Sequence, residues 1–175
     1  GLDLSPEINR AAVALMLMNP ANLYLKLDAL LTTVGGWLTA PFLLAIRLYW
    51  GWGFFQTGKG KLLNLERTAG FFADLHLPAP KLNAVAAGSV ECLGGLLLLL
   101  GLGGRIVPVP LIFTMLVAYA TAEQGALRAI TTDPDQFTAA APFLFLLASL
   151  TVFVFGPGKL SLDALLLRKQ TATTK

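Results

Sequence analysis

The stretch Ala84–Leu102, AVAAGSVECLGGLLLLLGL, constrains the fold more than any other part of the chain: it is apolar throughout except for one acid, Glu91, near its middle. Its length as a helix, about 28 Å, approaches the roughly 30 Å of a bilayer's hydrocarbon core. A carboxylate at that depth costs on the order of 2.5–3.5 kcal/mol on insertion scales, so it demands a compensating partner. The rest of the chain must supply that partner.

Composition agrees with a membrane environment. The chain is 55% hydrophobic and 13% charged, whereas soluble domains carry about 25% charge. Its 175 residues suit one compact bundle with the lipid bilayer as solvent. A net charge of +3 is too small to argue for nucleic acid; in a membrane protein it fits cytoplasmic flanks. Cys92 and His76 are the single members of their types, which excludes an internal disulfide and a cysteine- or histidine-rich metal site within the chain. The residues before 38 do not read as a signal peptide, because the apolar run Ala11–Met18 is short and no small-x-small cleavage site follows.

Helix punctuation divides the chain. Ser5-Pro6-Glu7 starts a helix that stops before Asn19-Pro20. A second begins near Asn22, places Leu23, Leu27, Leu30, Leu31 and Val34 on one face, and is expected to end at Gly35-Gly36. Both read as amphipathic helices at the membrane interface, or equally as a cytoplasmic hairpin packed on the bundle. Spans are expected at Thr39–Gly58, Leu82–Leu102, Ile106–Ala122 and Phe137–Phe155, the last ended by Gly156-Pro157-Gly158. Between the first two lie a polar loop, Gly58-Lys59-Gly60-Lys61-Leu62, and a short helix Leu65–Leu75. The fold expected is all-α: an integral membrane four-helix bundle (39–166) with an N-terminal amphipathic segment (1–38) and a charged tail (167–175). Lysine and arginine slightly favour the side of the termini, which points to cytoplasmic termini of a multi-pass inner-membrane protein.

With those spans, Arg47 and Glu91 each fall within about 3 Å of the midplane on neighbouring antiparallel helices, so an ion pair between them is the expected arrangement. Such a pair can lock the helix register, or form the polar floor of a cavity where Glu91 exchanges a proton. Gly88 and Gly95 share a face with Glu91, as Gly51 and Gly58 do with Arg47, which fits close helix packing. The GKGKL loop lacks the spacing and the hydroxyl residue of a phosphate loop. Lys59 and Lys61 read as interfacial anchors, with an anionic substrate or lipid headgroup as the alternative. Cys92 reads as an inert buried thiol and His76 as an interfacial residue. Trp50, among the aromatics of residues 49–55, would line a flat apolar ligand such as a quinone, or simply face lipid and neighbouring helices. Tyr119 is placed to donate a hydrogen bond into the same cavity.

From Phe42 to Leu166 the chain resembles the DoxX family of small four-helix bacterial membrane proteins. Five pieces carry the resemblance: Arg47-Leu-x-x-Gly51-x-x-Phe54; Gly58-x-Gly60-Lys61-Leu62; Phe71-Phe72-x-x-Leu75-x-Leu77-Pro78-Ala79-Pro80; Glu91-x-x-Gly94-Gly95; and Gly156-Pro157-Gly158-x-x-Ser161-Leu162-Asp163. The resemblance implies a bacterial inner-membrane protein, with relatives that include the membrane subunit of a thiosulfate:quinone oxidoreductase. Others serve redox complexes for oxidative stress or sulfur handling, or the maturation of copper-binding peptides. It carries over Arg47, Lys61 and Glu91. At the end of the third helix, where relatives have a histidine, this chain has Glu123.

The reading is a membrane subunit of a quinone- or sulfur-linked redox complex, with Arg47 and Glu91 as candidate catalytic residues and Lys59, Lys61, Trp50 and Tyr119 as candidate ligand contacts. No intrinsic cofactor is expected, so electrons come from a soluble redox partner or a quinone. The alternatives are a small-solute or proton carrier acting as a homo-oligomer, and a non-catalytic scaffold for soluble partners.

Overall fold

The structure is a computed structural model that describes residues 20–166. The predicted helix from Ser5 to Met18 and the charged tail with Arg168, Lys169 and Lys175 lie outside the described residues. All regular structure among the described residues is helical: α1 (Pro20–Leu63), α2 (Leu65–Asp74), α3 (Pro80–Leu100), α4 (Pro108–Thr121), α5 (Gln124–Arg128), a 3-10 turn (Ala129–Thr131), α6 (Pro134–Ala139) and α7 (Pro142–Phe155). Two helices are long and apolar enough to cross a bilayer, over Ala21–Leu63 and Pro80–Leu100, while α4 and α7 are shorter apolar helices. Internal contacts divide the chain into two units, with the boundary after Thr39.

In the first unit, the apolar set Leu23, Leu27, Leu30, Leu31 and Val34 is exposed. The expected stop at Gly35-Gly36 is overturned, since α1 runs through both glycines. Neither adopts the positive φ that ends a helix. The Thr39 hydroxyl donates to the Gly35 carbonyl at 2.8 Å. A helical glycine costs only about 1 kcal/mol relative to alanine, too little to stop a helix by itself.

The second unit has a core to which four helices contribute: Phe54 from α1, Leu98 from α3, Leu111 and Met115 from α4, and Val152 from α7. Glycines set how closely α1 and α3 approach. A Cβ built on Gly58 would lie 2.2 Å from the Cys92 nitrogen, one on Gly95 would lie 2.5 Å from the Phe55 nitrogen, and one on Gly51 would lie 2.8 Å from the Leu99 nitrogen. Backbone meets backbone along this seam, as small residues permit in lipid.

The expected polar loop Gly58–Leu62 is instead the last part of α1, which ends only at Leu63. The interruption falls at Asn64, whose side-chain amide donates to the Gly60 carbonyl at 2.9 Å. The Thr68 hydroxyl donates to the Lys61 carbonyl at 3.3 Å. The Gly60 carbonyl also accepts the Asn64 backbone N–H at 3.1 Å, and the Thr68 hydroxyl gives the Lys61 carbonyl at the helix end a partner. The second span is observed as Pro80–Leu100, closed by Gly101 at φ +69° with Leu102 N–H donating to Leu97. The fourth expected span, Phe137–Phe155, is broken: Ala140 is extended and α7 starts only at Pro142. Proline at that position suits a first helical turn but not a helix interior.

Candidate functional site

Among the described residues the buried polar side chains are Arg47, Glu91, Ser149 and Ser161, and the two charged ones are each 1% exposed. The structure does not bring Arg47 and Glu91 together. The seam sets Gly58 opposite Cys92 and Gly88, and Gly51 opposite Leu99 and Gly95. In that antiparallel register Glu91 faces the Gly58–Lys61 turn of α1, and Arg47 faces Gly101. Lys61 and Arg47 are fourteen residues apart on α1, about 21 Å along the helix. The expected ion pair assumed that the first span ended at Gly58; because α1 continues to Leu63, its midpoint is displaced from Arg47.

Glu91 is compensated by Lys61, whose Nζ donates to Oε1 in an ion pair. The Glu91 side chain is 1% exposed and that of Lys61 30%. Gly58 enables this contact: without a side chain there, α1 settles against the Cys92–Gly88 turn and carries Lys61, three residues on, over Glu91. Glu91 Oε2 is buried and has no hydrogen-bond partner. Lys61 is thus half-buried and engages Glu91. Lys59 stays exposed, 6.0 Å from the centre of the Phe55 ring.

Arg47 serves the other end of α3. Its Nη2 donates to the Leu160 carbonyl, and Asp163 is the nearby countercharge. A Cβ on Gly101 would fall 1.7 Å from Arg47 Nη1 and 2.6 Å from Ser161 Cβ, so the guanidinium occupies the space that a side chain at position 101 would take. The segment after α7 is fastened over it. Asp163 N–H donates to the Gly101 carbonyl at 3.2 Å, and Gly103 N–H donates to Asp163 Oδ1 at 3.2 Å. Ser161 Oγ accepts from Ala164 N–H at 3.2 Å. Leu160, Ser161 and Asp163 were not among the expected site residues; their signal is the Gly156-Pro157-Gly158-x-x-Ser161-Leu162-Asp163 pattern, which marks a turn but not what it covers.

Trp50 packs edge-on against Tyr49 and Phe145, with ring centroids 5.1 Å and 4.9 Å away. With Ala45, Leu48, Trp52 and Gly53 these aromatics line an apolar groove of about 700 Å³ that includes neither Lys61 nor Glu91. Tyr119 is 1% exposed, and its hydroxyl donates to the Phe137 carbonyl at 2.8 Å, while its ring stacks on Phe137 at 4.8 Å. The expectation that Tyr119 donates into the Glu91 cavity is thereby corrected. Among the described residues, no group of three or more His, Cys, Asp or Glu side chains is placed to hold a metal ion.

Long apolar helices meeting at a glycine seam, with a buried carboxylate paired to a half-buried lysine, define an all-α membrane protein. The sequence pattern of the DoxX family matches residues 42–124. The chain is 32% identical over 120 residues, 69% of its own length and 83% of the relative's, to the Bacillus subtilis (strain 168) protein called "Putative oxidoreductase CatD". The chain belongs to the DoxX family. No solved structure matches it.

Proposed function

We propose that this protein is the membrane subunit of a quinone-linked redox complex, in which the Lys61–Glu91 pair takes the place that the sequence suggested for Arg47–Glu91. The observation that carries the reading is Glu91 itself: a carboxylate 1% exposed, with one oxygen held by Lys61 and the other without a partner. Apolar residues would normally pack there as well or better than an ion pair, so the presence of the pair supports a functional use. The word oxidoreductase in the Bacillus relative's name supports the redox class. Quinone reduction takes up two electrons and two protons. The electrons come from a soluble partner docked at the membrane, and the two protons are drawn from water and pass to the quinone oxygens by way of the Lys61–Glu91 pair. Arg47, held beneath Leu160, has a structural role in this reading.

The protein is assigned to the bacterial inner membrane as a multi-pass bundle with cytoplasmic termini. Cysteines placed at Lys159 and at Arg128, in a Cys92→Ala background, should label from opposite sides of the membrane. Equal labelling from one side would refute that topology. For the redox reading, the protein is copurified with its partner in lipid nanodiscs and given a short-chain quinone and the partner's reductant. Turnover that falls at least about tenfold in Glu91→Gln, with Arg47→Lys largely active, supports the assignment. Undiminished turnover in Glu91→Gln, or none in the wild type, removes it.

A further inference from the structure

We infer that the Lys61–Glu91 pair exchanges protons with water from one side of the membrane only, the side of α2, and that Lys61 is the group they pass through. This rests on the proton-carrying role proposed above for the pair and adds the direction of supply. Depth does not decide the direction: Glu91 lies about 16 Å of helix from Pro80 and about 14 Å from Leu100 at the other end of α3. What fills each half does. On the α2 side, polar groups lead from the surface to the pair. Lys61 sits in the last turn of α1, and the exposed Asn64, Glu66 and Arg67 follow it directly. The Thr68 hydroxyl donates to the Asn64 and Lys61 carbonyls, and Glu66 pairs with Lys81 at 2.5 Å on the surface. The Lys61 side chain is 30% exposed against 1% for Glu91, so water that reaches the pair meets the ammonium first.

Towards Gly101 the bundle is closed. Gly94, Gly95 and Leu98 are buried. A Cβ on Gly94 would lie 2.9 Å from Leu111, and one on Gly95 would lie 2.5 Å from the Phe55 nitrogen. Neither α4 nor α7 contains a charged residue, and Tyr119 of α4 is held by the Phe137 carbonyl. The hydroxyls of Thr114, Ser149 and Thr151 each donate to a carbonyl of their own helix, so none is left to relay a proton. Arg47 stands only at the far end, bound to the Leu160 carbonyl. An excess proton in that half would be a buried charge without a partner, which is costly. On the α2 side the charges around the pair are Lys59, Glu66, Arg67 and Lys81, all exposed. Uptake balances at the pair itself. Lys61 passes one ammonium proton along its bond to Glu91 Oε1, leaving a neutral amine and a neutral acid. A proton from water then restores the ammonium, and the net gain is one proton on Glu91.

The test first finds the pH step and then applies it from one side. In nanodiscs, where both faces are open, the infrared carboxylate band of Glu91 is assigned by its loss in Glu91→Gln, and titration gives the step that protonates it. The full chain is next reconstituted at one particle per sealed vesicle, carrying Arg128→Cys or Lys159→Cys in a Cys92→Ala background. An impermeant biotin-maleimide labels whichever cysteine faces out. Vesicles captured on an infrared crystal through position 128 present the α2 side, and those captured through position 159 present the Gly101 side. The external step should shift the band in the first set and leave it unmoved in the second until a protonophore is added. Lys61→Arg keeps the charge opposite Glu91 but cannot give up a proton, so the band should still shift in the end, at least about tenfold more slowly. A shift driven from the Gly101 side, or equally from both sides, overturns the inference. So does a Glu91 band that no pH step moves while the chain stays folded. Wild-type speed in Lys61→Arg overturns the passage through Lys61. Two-sided uptake with partner-dependent turnover intact sinks this inference alone. One-sided uptake with turnover absent sinks the redox reading alone.

Discussion

Replacing Lys61 by methionine keeps most of the aliphatic stem and removes the charge that faces Glu91. What remains is a carboxylate 1% exposed without its ion-pair partner. Breaking a buried pair from one side costs about 3–5 kcal/mol, mostly from the charge left behind. The Lys61 side chain retains 30% exposure, which moves the expectation to the lower end, about 3 kcal/mol. That corresponds to roughly a hundredfold change in the folding equilibrium. The clean measurement is a double-mutant cycle. Lys61→Met, Glu91→Leu and the double variant are compared by reversible denaturant titration in mixed micelles, followed by tryptophan fluorescence. The double variant should recover most of the loss, giving a coupling of about 2–3 kcal/mol, because removing both charges strands neither. A parallel cycle between Arg47→Met and Glu91→Leu should be additive to within about 0.5 kcal/mol, since these residues share no partner. Coupling that is larger for Arg47 with Glu91 than for Lys61 with Glu91 would refute this α1–α3 register.

Other variants probe the same architecture. Gly58→Ala places a Cβ 2.2 Å from the Cys92 nitrogen, so the helices must part, and unfolding should be eased by at least about 1–3 kcal/mol. Gly60→Ala, with nothing within 4 Å of its Cβ, is the control and should be neutral or stabilising by up to about 1 kcal/mol in the same titration. Gly101→Ala combines a φ of +69° with a contact 1.7 Å from Arg47 Nη1. Thermal melts should show that adding Arg47→Ala fails to restore wild-type stability, because the backbone penalty of about 1–2 kcal/mol remains. Tyr119→Phe removes the bond to the Phe137 carbonyl and should cost about 0.5–1.5 kcal/mol, while quinone-dependent turnover stays unchanged. A large loss of turnover in stably folded protein would return Tyr119 to the ligand site.

Local signals in the sequence carried much of the fold. The short helix expected at Leu65–Leu75 is observed over Leu65–Asp74, and the leucine-rich span expected at Leu82–Leu102 is observed over Pro80–Leu100. Gly156 follows the last residue of α7, as the Gly-Pro-Gly terminator requires. Hydropathy, proline at helix starts and glycine at helix ends act over a few residues, so they are written in the chain where they operate. The same signals misled at Gly35-Gly36, where neither glycine takes the positive φ that ends a helix. They misled again at Gly58–Leu62, where Gly and Lys looked like a loop but the helix continues.

The partner of Glu91 was a different kind of question. That this carboxylate needs a cation follows from its apolar surroundings alone; the expected spans pointed to Arg47, with Lys61 read as an interfacial anchor. Choosing between them depends on the register of two helices whose contacting residues lie some thirty to fifty positions apart, Gly58 against Gly88 and Gly51 against Leu99. That register is decided by how closely the backbones approach at the glycines, an interaction of shape that hydropathy and span length do not encode. The sequence by itself determined that a buried acid in an apolar helix would be paired; the tertiary structure decided that Lys61 pairs with it and that Arg47 anchors the segment around Leu160 and Ser161 over Gly101.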